Sequence, residues 1–258
     1  MGPCGSRIDA RARYDVLCGC WAADEPIRPG GLSLTRKALS QCSFPAGARL
    51  VDIGCGMGIT VASLAGFEGW NAVGVDPSFA LLKGGRGANS RLPLLCAAGE
   101  HLPLASASWD GAILECSLSV CADRDRVLGE CRRILKQGGR LIVSDLYRRS
   151  PSGGTGPAAG CLAGAFDRDE LFEKLATFDF HVTFWEDQTD ALKHFAARLI
   201  LSGSPVVSLW GLPSFGRGGP FPPAGGIKPG YFLLVAELRA DGPVSEKHSW
   251  NGRTCFER

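Results

Sequence analysis

The residues best suited to do chemistry run from Val51 to Gly58 and read Val51-Asp52-Ile53-Gly54-Cys55-Gly56-Met57-Gly58. An apolar run ends in a turn with glycine at every second position, and a helix-like segment follows directly at Ile59. Glycine has no Cβ to hold a ligand away from the backbone, and it tolerates the positive φ of a tight turn. A ligand brought that close is expected to meet free N–H groups where the helix begins. Two carboxylates frame the turn. Asp52 lies two residues before the first glycine, and Asp76 ends the next apolar run in Gly74-Val75-Asp76-Pro77. A carboxylate at such a strand end can accept both hydroxyls of a ribose as a bidentate pair.

Two cofactor classes use a glycine turn of this kind. The dinucleotide pattern G-x-G-x-x-G wants its third glycine at position 59, where this chain has Ile59, and the third glycine instead comes at Gly58. The Asp52 carboxylate would repel a pyrophosphate, whereas a cofactor with a cationic amino group and a sulfonium would be drawn to it. The local charge therefore favours S-adenosylmethionine over a nicotinamide dinucleotide.

With Asp52, the glycine turn and Asp76 in this order, the chain resembles the class I S-adenosylmethionine-dependent methyltransferases, of the small-molecule, type 11-like kind, over roughly Leu50 to Tyr147. The likeness continues in Gly99-Glu100-His101-Leu102-Pro103-Leu104 before Trp109-Asp110 and in Leu114-Glu115-Cys116. It continues again in Leu135-Lys136-Gln137-Gly138-Gly139-Arg140-Leu141-Ile142-Val143. The resemblance implies S-adenosylmethionine as cofactor, with Gly54, Cys55, Gly56 and Gly58 along its methionine portion and Asp52 positioning its amino group. It further implies that Asp76 and Pro77 hold the ribose and that Ala98, Gly99 and Glu100 edge the adenine. The family often has an aspartate where this chain has Ala98, so either Glu100 or a backbone carbonyl is expected to receive the adenine amino group, or cofactor affinity is expected to be lower. Glu115 ends a strand beside the place for the reactive methyl and is expected to contact cofactor or substrate.

Methyl transfer is an in-line displacement from a sulfonium, so the protein mainly aligns donor and acceptor. A general base is needed only when the acceptor carries a proton of high pKa. No residue is assigned a catalytic role and no set of metal ligands is expected; His101, His181 and His194 read as structural or exposed side chains.

The elements that must position these residues follow from the apolar pattern. Arg49–Ile53, Ala72–Val75, Leu92–Cys96, Ala112–Leu114 and Arg140–Ser144 are continuous apolar runs, as buried parallel strands are. Between them Ile59–Ala65, Ser78–Lys83 and Asp123–Leu135 read as helices, the last stopped by Gly138-Gly139. Asp167 with Glu170 three residues later opens a helix to about Phe178. His181–Trp185 then reads as a strand, Asp190–Leu201 as a helix and Tyr231–Leu238 as a last strand. Such alternation predicts an α/β fold, a doubly wound, mostly parallel seven-stranded sheet with helices on both faces. Residues 1–48 are expected to be an N-terminal helical cap, with a turn at Arg28-Pro29-Gly30-Gly31 and a helix opened by Ser33-Leu34-Thr35. That segment either packs or crosses the cofactor pocket, and whether Arg28, Thr35 or Tyr14 folds over the cofactor stays open. The methyltransferase domain is expected over 49–240, with a Gly/Pro-rich substrate-side insertion at about 186–230, and a flexible tail over 241–258. Ser150–Gly160 reads as a mobile connection.

Composition narrows the partners. Among 258 residues, 28 basic side chains face 26 acidic ones, a net charge of +2 that gives no electrostatic reason for nucleic acid or a membrane surface. Neither a secretory signal nor a run of about 18 apolar residues is found. The eleven cysteines then read as small buried hydrophobes in a reducing cytoplasm. Cys18-x-Cys20 and Cys116-x4-Cys121 occur, but no paired C-x-x-C does. A small molecule is the expected methyl acceptor. Cys161-Leu162-Ala163-Gly164-Ala165 resembles a segment of arsenite methyltransferases, in which a cysteine binds arsenic as thiolate. That family's other cysteines have no counterpart at Gly58–Gly69 or between Ala163 and Gly252. An arsenite-type enzyme and a non-catalytic, methyltransferase-like cofactor-binding protein remain as alternatives. A nicotinamide oxidoreductase would share the fold, against Ile59 and Asp52.

Overall fold

The computed structural model describes residues 26–66, 69–149, 164–201 and 228–239. Its strands are β1 (Arg49–Ile53), β2 (Asn71–Asp76), β3 (Leu94–Cys96), β4 (Trp109–Glu115), β5 (Leu135–Arg148), β6 (Phe180–Asp187) and β7 (Pro229–Leu238). Its helices are α1 (Gly31–Ser40), α2 (Ile59–Leu64), α3 (Phe79–Ala88), α4 (Arg124–Ile134), α5 (Arg168–Thr177) and α6 (Thr189–Leu201). The strands form one seven-stranded sheet in the order β3-β2-β1-β4-β5-β7-β6, the doubly wound arrangement expected. β1 pairs in parallel with both β2 and β4, so the strand order reverses at β1, where open α/β sheets bind ligands. β7 is antiparallel to both its neighbours.

Each central strand is buried on both faces, which is why its apolar runs are continuous. One core joins Leu50, Ile113, Ile142, Leu233 and Val235 to α1, α2, α3 and α6. The other joins Val51, Ala112, Leu114, Val143, Leu234 and Ala236 to α4 and α5. Alternate residues of one strand thus feed opposite cores. Three helices begin on side-chain caps: Ser78 accepts from Leu81 N–H, Asp123 from Arg126 N–H, and Asp167 from Asp169 and Glu170 N–H.

Several boundaries differ from the sequence reading, and these bear on the site. α4 ends at Ile134, and Gly138-Gly139 lies inside β5 instead of stopping a helix, because Leu135 already pairs with Trp109. The register then shifts to Gly111 with Arg140, a jog that Gly138 accommodates at φ 74°. α1 begins at Gly31, ahead of Ser33, and buries Leu34, Thr35, Ala38 and Leu39 on one helical face. β7 begins at Pro229, so residues 229–230 belong to the sheet, and residues 189–201 of the expected insertion form α6 against it. The expected connection Ser150–Gly160, the cysteines Cys18, Cys20 and Cys161, Tyr14, and the tail over 241–258 lie outside the described residues.

The glycine turn is braced from behind by α3. A Cβ added at Gly85 would stand 2.1 Å from the Met57 carbonyl oxygen. Helix and turn can approach this closely only with glycine there. Gly85→Ala is expected to lower stability by about 1–3 kcal/mol, as overpacking of a close contact does, read as a lower denaturant midpoint at unchanged slope. An unchanged midpoint would mean that α3 backs away from the turn at no cost.

Candidate functional site

The expected site residues gather at the carboxyl ends of β1, β2 and β4. Gly54, Gly56 and Gly58 all adopt positive φ, at 82°, 54° and 80°, which is what the alternating glycines are for. The turn is fixed from within. Gly54 N–H and Cys55 N–H both donate to the Val75 carbonyl, at 2.8 and 3.2 Å, and Gly58 N–H donates to the Cys55 carbonyl at 2.9 Å. Gly56 N–H donates to Asp76 Oδ2 at 2.8 Å. These four donors belong to the turn and point into the protein; the expected free N–H groups are those of the first turn of α2, which begins at Ile59. A Cβ at Gly54 would meet the Ser117 Cβ at 2.4 Å, whereas one at Gly56 would meet nothing within 4 Å, so the open side of the turn is at Gly56.

Asp76 ends β2 as expected, and its carboxylate already has work: Oδ1 accepts from Ser78 N–H at 2.8 Å while Oδ2 accepts from Gly56. It therefore ties the glycine turn to the start of α3, with Pro77 between. Glu100 turns away from the sheet edge, its Oε1 accepting from Ala122 N–H at 3.0 Å and Asp123 N–H at 3.3 Å ahead of α4. The Ala98 carbonyl accepts from His101 N–H at 3.1 Å, and buried Gly99 packs against Ile53 and Val127. His101, His181 and His194 are exposed.

Glu115 reaches a network that the sequence did not reveal. Its Oε2 is ion-paired with Arg28 Nη2 at 2.7 Å and accepts from Thr60 Oγ1 at 3.2 Å, while Oε1 accepts from Thr35 Oγ1 at 2.7 Å. Arg28 Nη2 also donates to Thr35 Oγ1 at 2.6 Å and Thr60 Oγ1 at 3.0 Å. The segment before α1, α1 itself, α2 and β4 thus meet at one ion pair. Arg28 stands 87 positions before Glu115, a separation that no local pattern bridges.

The charges here do not balance. Asp52, Asp76 and Glu115 are 3%, 7% and 8% exposed, and Arg28, at 9%, is the only buried lysine or arginine among the described residues. No described residue donates a hydrogen bond to the Asp52 carboxyl. Burial first, then the neighbouring Glu115 charge, pushes its pKa up to about 8, against the partial relief that Arg28 gives. Arg28 Nε, for its part, is buried with no acceptor. Near neutral pH the site holds a protonated acid that a cation would ionise.

Two cysteines near the site are held as thiols. Burial, then Asp52 and Asp76, hold the Cys55 thiol well above its ordinary value, and burial pushes Cys121 up to about 12. Cys116 follows β4 at φ 55°, with its Sγ 2.9 Å from Tyr231 Oη, which donates to Ser144 Oγ at 3.1 Å. Among the described residues no group of three or more His, Cys, Asp or Glu side chains could hold a metal ion, and no helix is long and apolar enough to cross a membrane.

Comparison with known proteins agrees with this geometry. Residues 51–143 match the family model described as a methyltransferase domain. The chain is 31% identical over 144 residues to the methyltransferase GfsG of Streptomyces halstedii, covering 52% of each protein. It is 36% identical over 134 residues to the demethylmenaquinone methyltransferase of Corynebacterium kroppenstedtii, covering 51% of this chain and 57% of that one. The chain therefore spans about half the length of the curated relatives it matches. Among solved structures, the [4+2]-cyclase SpnF superposes with a TM-score of 0.64 at 22% identity, covering 81% of each chain. Phosphoethanolamine N-methyltransferase 2 of Haemonchus contortus, solved with S-adenosyl-L-methionine, superposes at 0.66 and 16% identity over 93% of this chain and 62% of that one. These likenesses are of fold.

The Asp52 carboxyl gives the site a titration of its own. Its folded pKa of about 8 lies above the ordinary 3.8, so the folded state keeps a proton that the unfolded chain has lost. Its contribution to stability is full below 3.8 and is lost as pH rises to about 8. The melting temperature of the wild type is therefore expected to fall relative to that of Asp52→Asn across this window and to stay parallel above it. Parallel melting curves throughout would mean that Asp52 is ionised in the folded protein at neutral pH.

Proposed function

We propose that the chain is a class I S-adenosylmethionine-dependent methyltransferase that transfers the methyl group to a small-molecule acceptor, a reading supported by the match of residues 51–143 to a methyltransferase domain. The observation that carries this reading is the pairing of an inward-turned glycine loop with the donorless, buried carboxyl of Asp52. A pyrophosphate needs outward N–H groups and positive potential. A ligand with an ammonium and a sulfonium needs a close, uncrowded backbone and an acid, and both are here.

The residues present fit that cofactor. Gly54 and Gly56 would let its methionyl portion lie against the loop, with Cys55 and Gly58 shaping the turn behind. Asp52 would accept from the ammonium. Asp76, at the end of β2, would accept from the ribose hydroxyls, with Pro77 and Gly99 flanking the nucleoside. Glu100 is committed to the α4 start through Oε1, so the Ala98 carbonyl, with a second lone pair, is the nearer choice for the adenine amino group. When bound, S-adenosylmethionine supplies a methyl group on a sulfonium that departs as a neutral thioether. The chain's own contribution is alignment and exclusion of water.

On this reading the acceptor would approach the carboxyl end of β4, where Cys116 follows the strand. Relatives named for demethylmenaquinone and O-methyl transfer make small hydroxylated and quinone-like molecules the first acceptors to screen. Fold alone does not fix the chemistry, so transfer has to be measured apart from binding.

Calorimetric titration with S-adenosylhomocysteine, with NAD as control, tests the reading. Binding of S-adenosylhomocysteine alone is expected. Its ammonium favours ionised Asp52, so affinity should rise with pH up to about 8, where the Asp52 pKa lies, and protons should be released, read as a dependence of heat on buffer. Asp52→Asn should abolish that dependence, and Asp76→Ala should weaken binding by about 1.5–3 kcal/mol. Binding of NAD alone, or of neither ligand, would overturn the proposal.

A further inference from the structure

Among the described residues three that are not glycine adopt positive φ, Ala107, Cys116 and Asp179, and Cys116 is the one beside the site. A left-handed backbone is costly for a residue with a Cβ, and it persists where the surroundings over-determine it. Here both ends of the residue are tied to Ser144. Cys116 N–H donates to the Ser144 carbonyl at 2.8 Å. The single proton of the Tyr231 hydroxyl goes to Ser144 Oγ at 3.1 Å, so the Cys116 thiol is the donor in its 2.9 Å contact with Tyr231 Oη. The effect of the left-handed step is seen one residue later. Ser117 is brought under the glycine turn, where its Oγ donates to the Ile53 carbonyl at 2.7 Å. Its Cβ packs so near that a side chain at Gly54 would meet it at 2.4 Å.

We infer that Cys116 is a positioning residue for the glycine turn: its thiol, anchored on Tyr231, holds the left-handed step that seats Ser117 beneath Ile53 and Gly54. The effect on cofactor affinity rests on the S-adenosylmethionine reading above, whereas the seating of the turn does not. Tyr231 is fully buried and acts only through Cys116, 115 positions away in the chain. β7 thereby steadies the loop between β1 and α2, although it pairs with neither β1 nor β4.

The test compares Cys116→Ala with Cys116→Gly. Both lack the thiol, and they differ only in the Cβ that makes positive φ costly. Two quantities are read: affinity for S-adenosylhomocysteine by calorimetry, and amide hydrogen exchange of the ligand-free protein at Gly54 and Gly56 relative to Ile113 in the core of β4. Cys116→Ala should weaken binding about three- to tenfold, part of the left-handed penalty, and should speed exchange at the two glycines by a similar factor. Cys116→Gly should keep wild-type values of both. Tyr231→Phe, which keeps the ring and loses the hydroxyl, should behave as Cys116→Ala does, and adding Cys116→Gly to it should restore both readings. Alanine and glycine variants that behave alike would overturn the inference, even if Tyr231→Phe failed to fold. So would a Tyr231→Phe defect that Cys116→Gly leaves in place. Exchange that rises equally at Ile113 would overturn it too, since that is what a merely structural thiol predicts. A wild type that fails to bind S-adenosylhomocysteine, with the exchange contrast intact, would remove the S-adenosylmethionine reading and leave the positioning role standing.

Discussion

A single guanidinium answers for three buried carboxylates at the heart of this protein. β1, β2 and β4 each carry an acid at or next to their carboxyl ends, which converge where the sheet order reverses, and Arg28 is the only buried lysine or arginine among the described residues to oppose them. Two of the acids are satisfied inside the fold. Glu115 has Arg28 and two threonines, and Asp76 has two backbone N–H groups. The third, Asp52, is left to hold a proton. Burying an ion without a partner costs far more than keeping it neutral, so the residual negative character is stored as a raised pKa and not as strain.

That arrangement explains why the glycine loop suits one ligand class and not another. In a phosphate-binding turn the glycines serve to aim N–H groups outward. Here the same residue type, at nearly the same spacing, aims Gly54, Cys55, Gly56 and Gly58 N–H at Val75, Asp76 and the loop itself. What the glycines provide is clearance, most of all at Gly56, where a side chain would stand in open space. With α3 pressed on the loop from behind at Gly85, the clearance is rigid.

The parts legible in the sequence are those whose cause is local. A strand, three alternating glycines and an acid at the next strand end are all encoded within 26 consecutive residues, Val51–Asp76, and they fold as read. The buried strands announced themselves through unbroken apolar runs, since both faces are covered. What escaped is set by groups far apart in the chain. Arg28 has no local pattern because its partners are residues 35, 60 and 115. Glu100, expected at the adenine edge, also accepts two N–H groups from the residues ahead of α4, more than twenty positions on, which no local pattern shows. Gly138-Gly139 looked like a helix stop, but Leu135 had already found Trp109, and the strand absorbed the glycines as a jog in register.

The antiparallel strand β7 has a consequence for the order of assembly. It is the last strand in the chain among those described, yet it lies inside the sheet, between β5 and β6. Strands β1 to β5, with the loop and its acids, pair with one another and can form as soon as they are synthesised. β6 and α6 wait for β7, the strand on which both pack among the described residues. During synthesis on the ribosome the cofactor cradle can therefore form before Tyr231 is in place, and a ligand that captures the cradle early would favour productive folding before the sheet is closed.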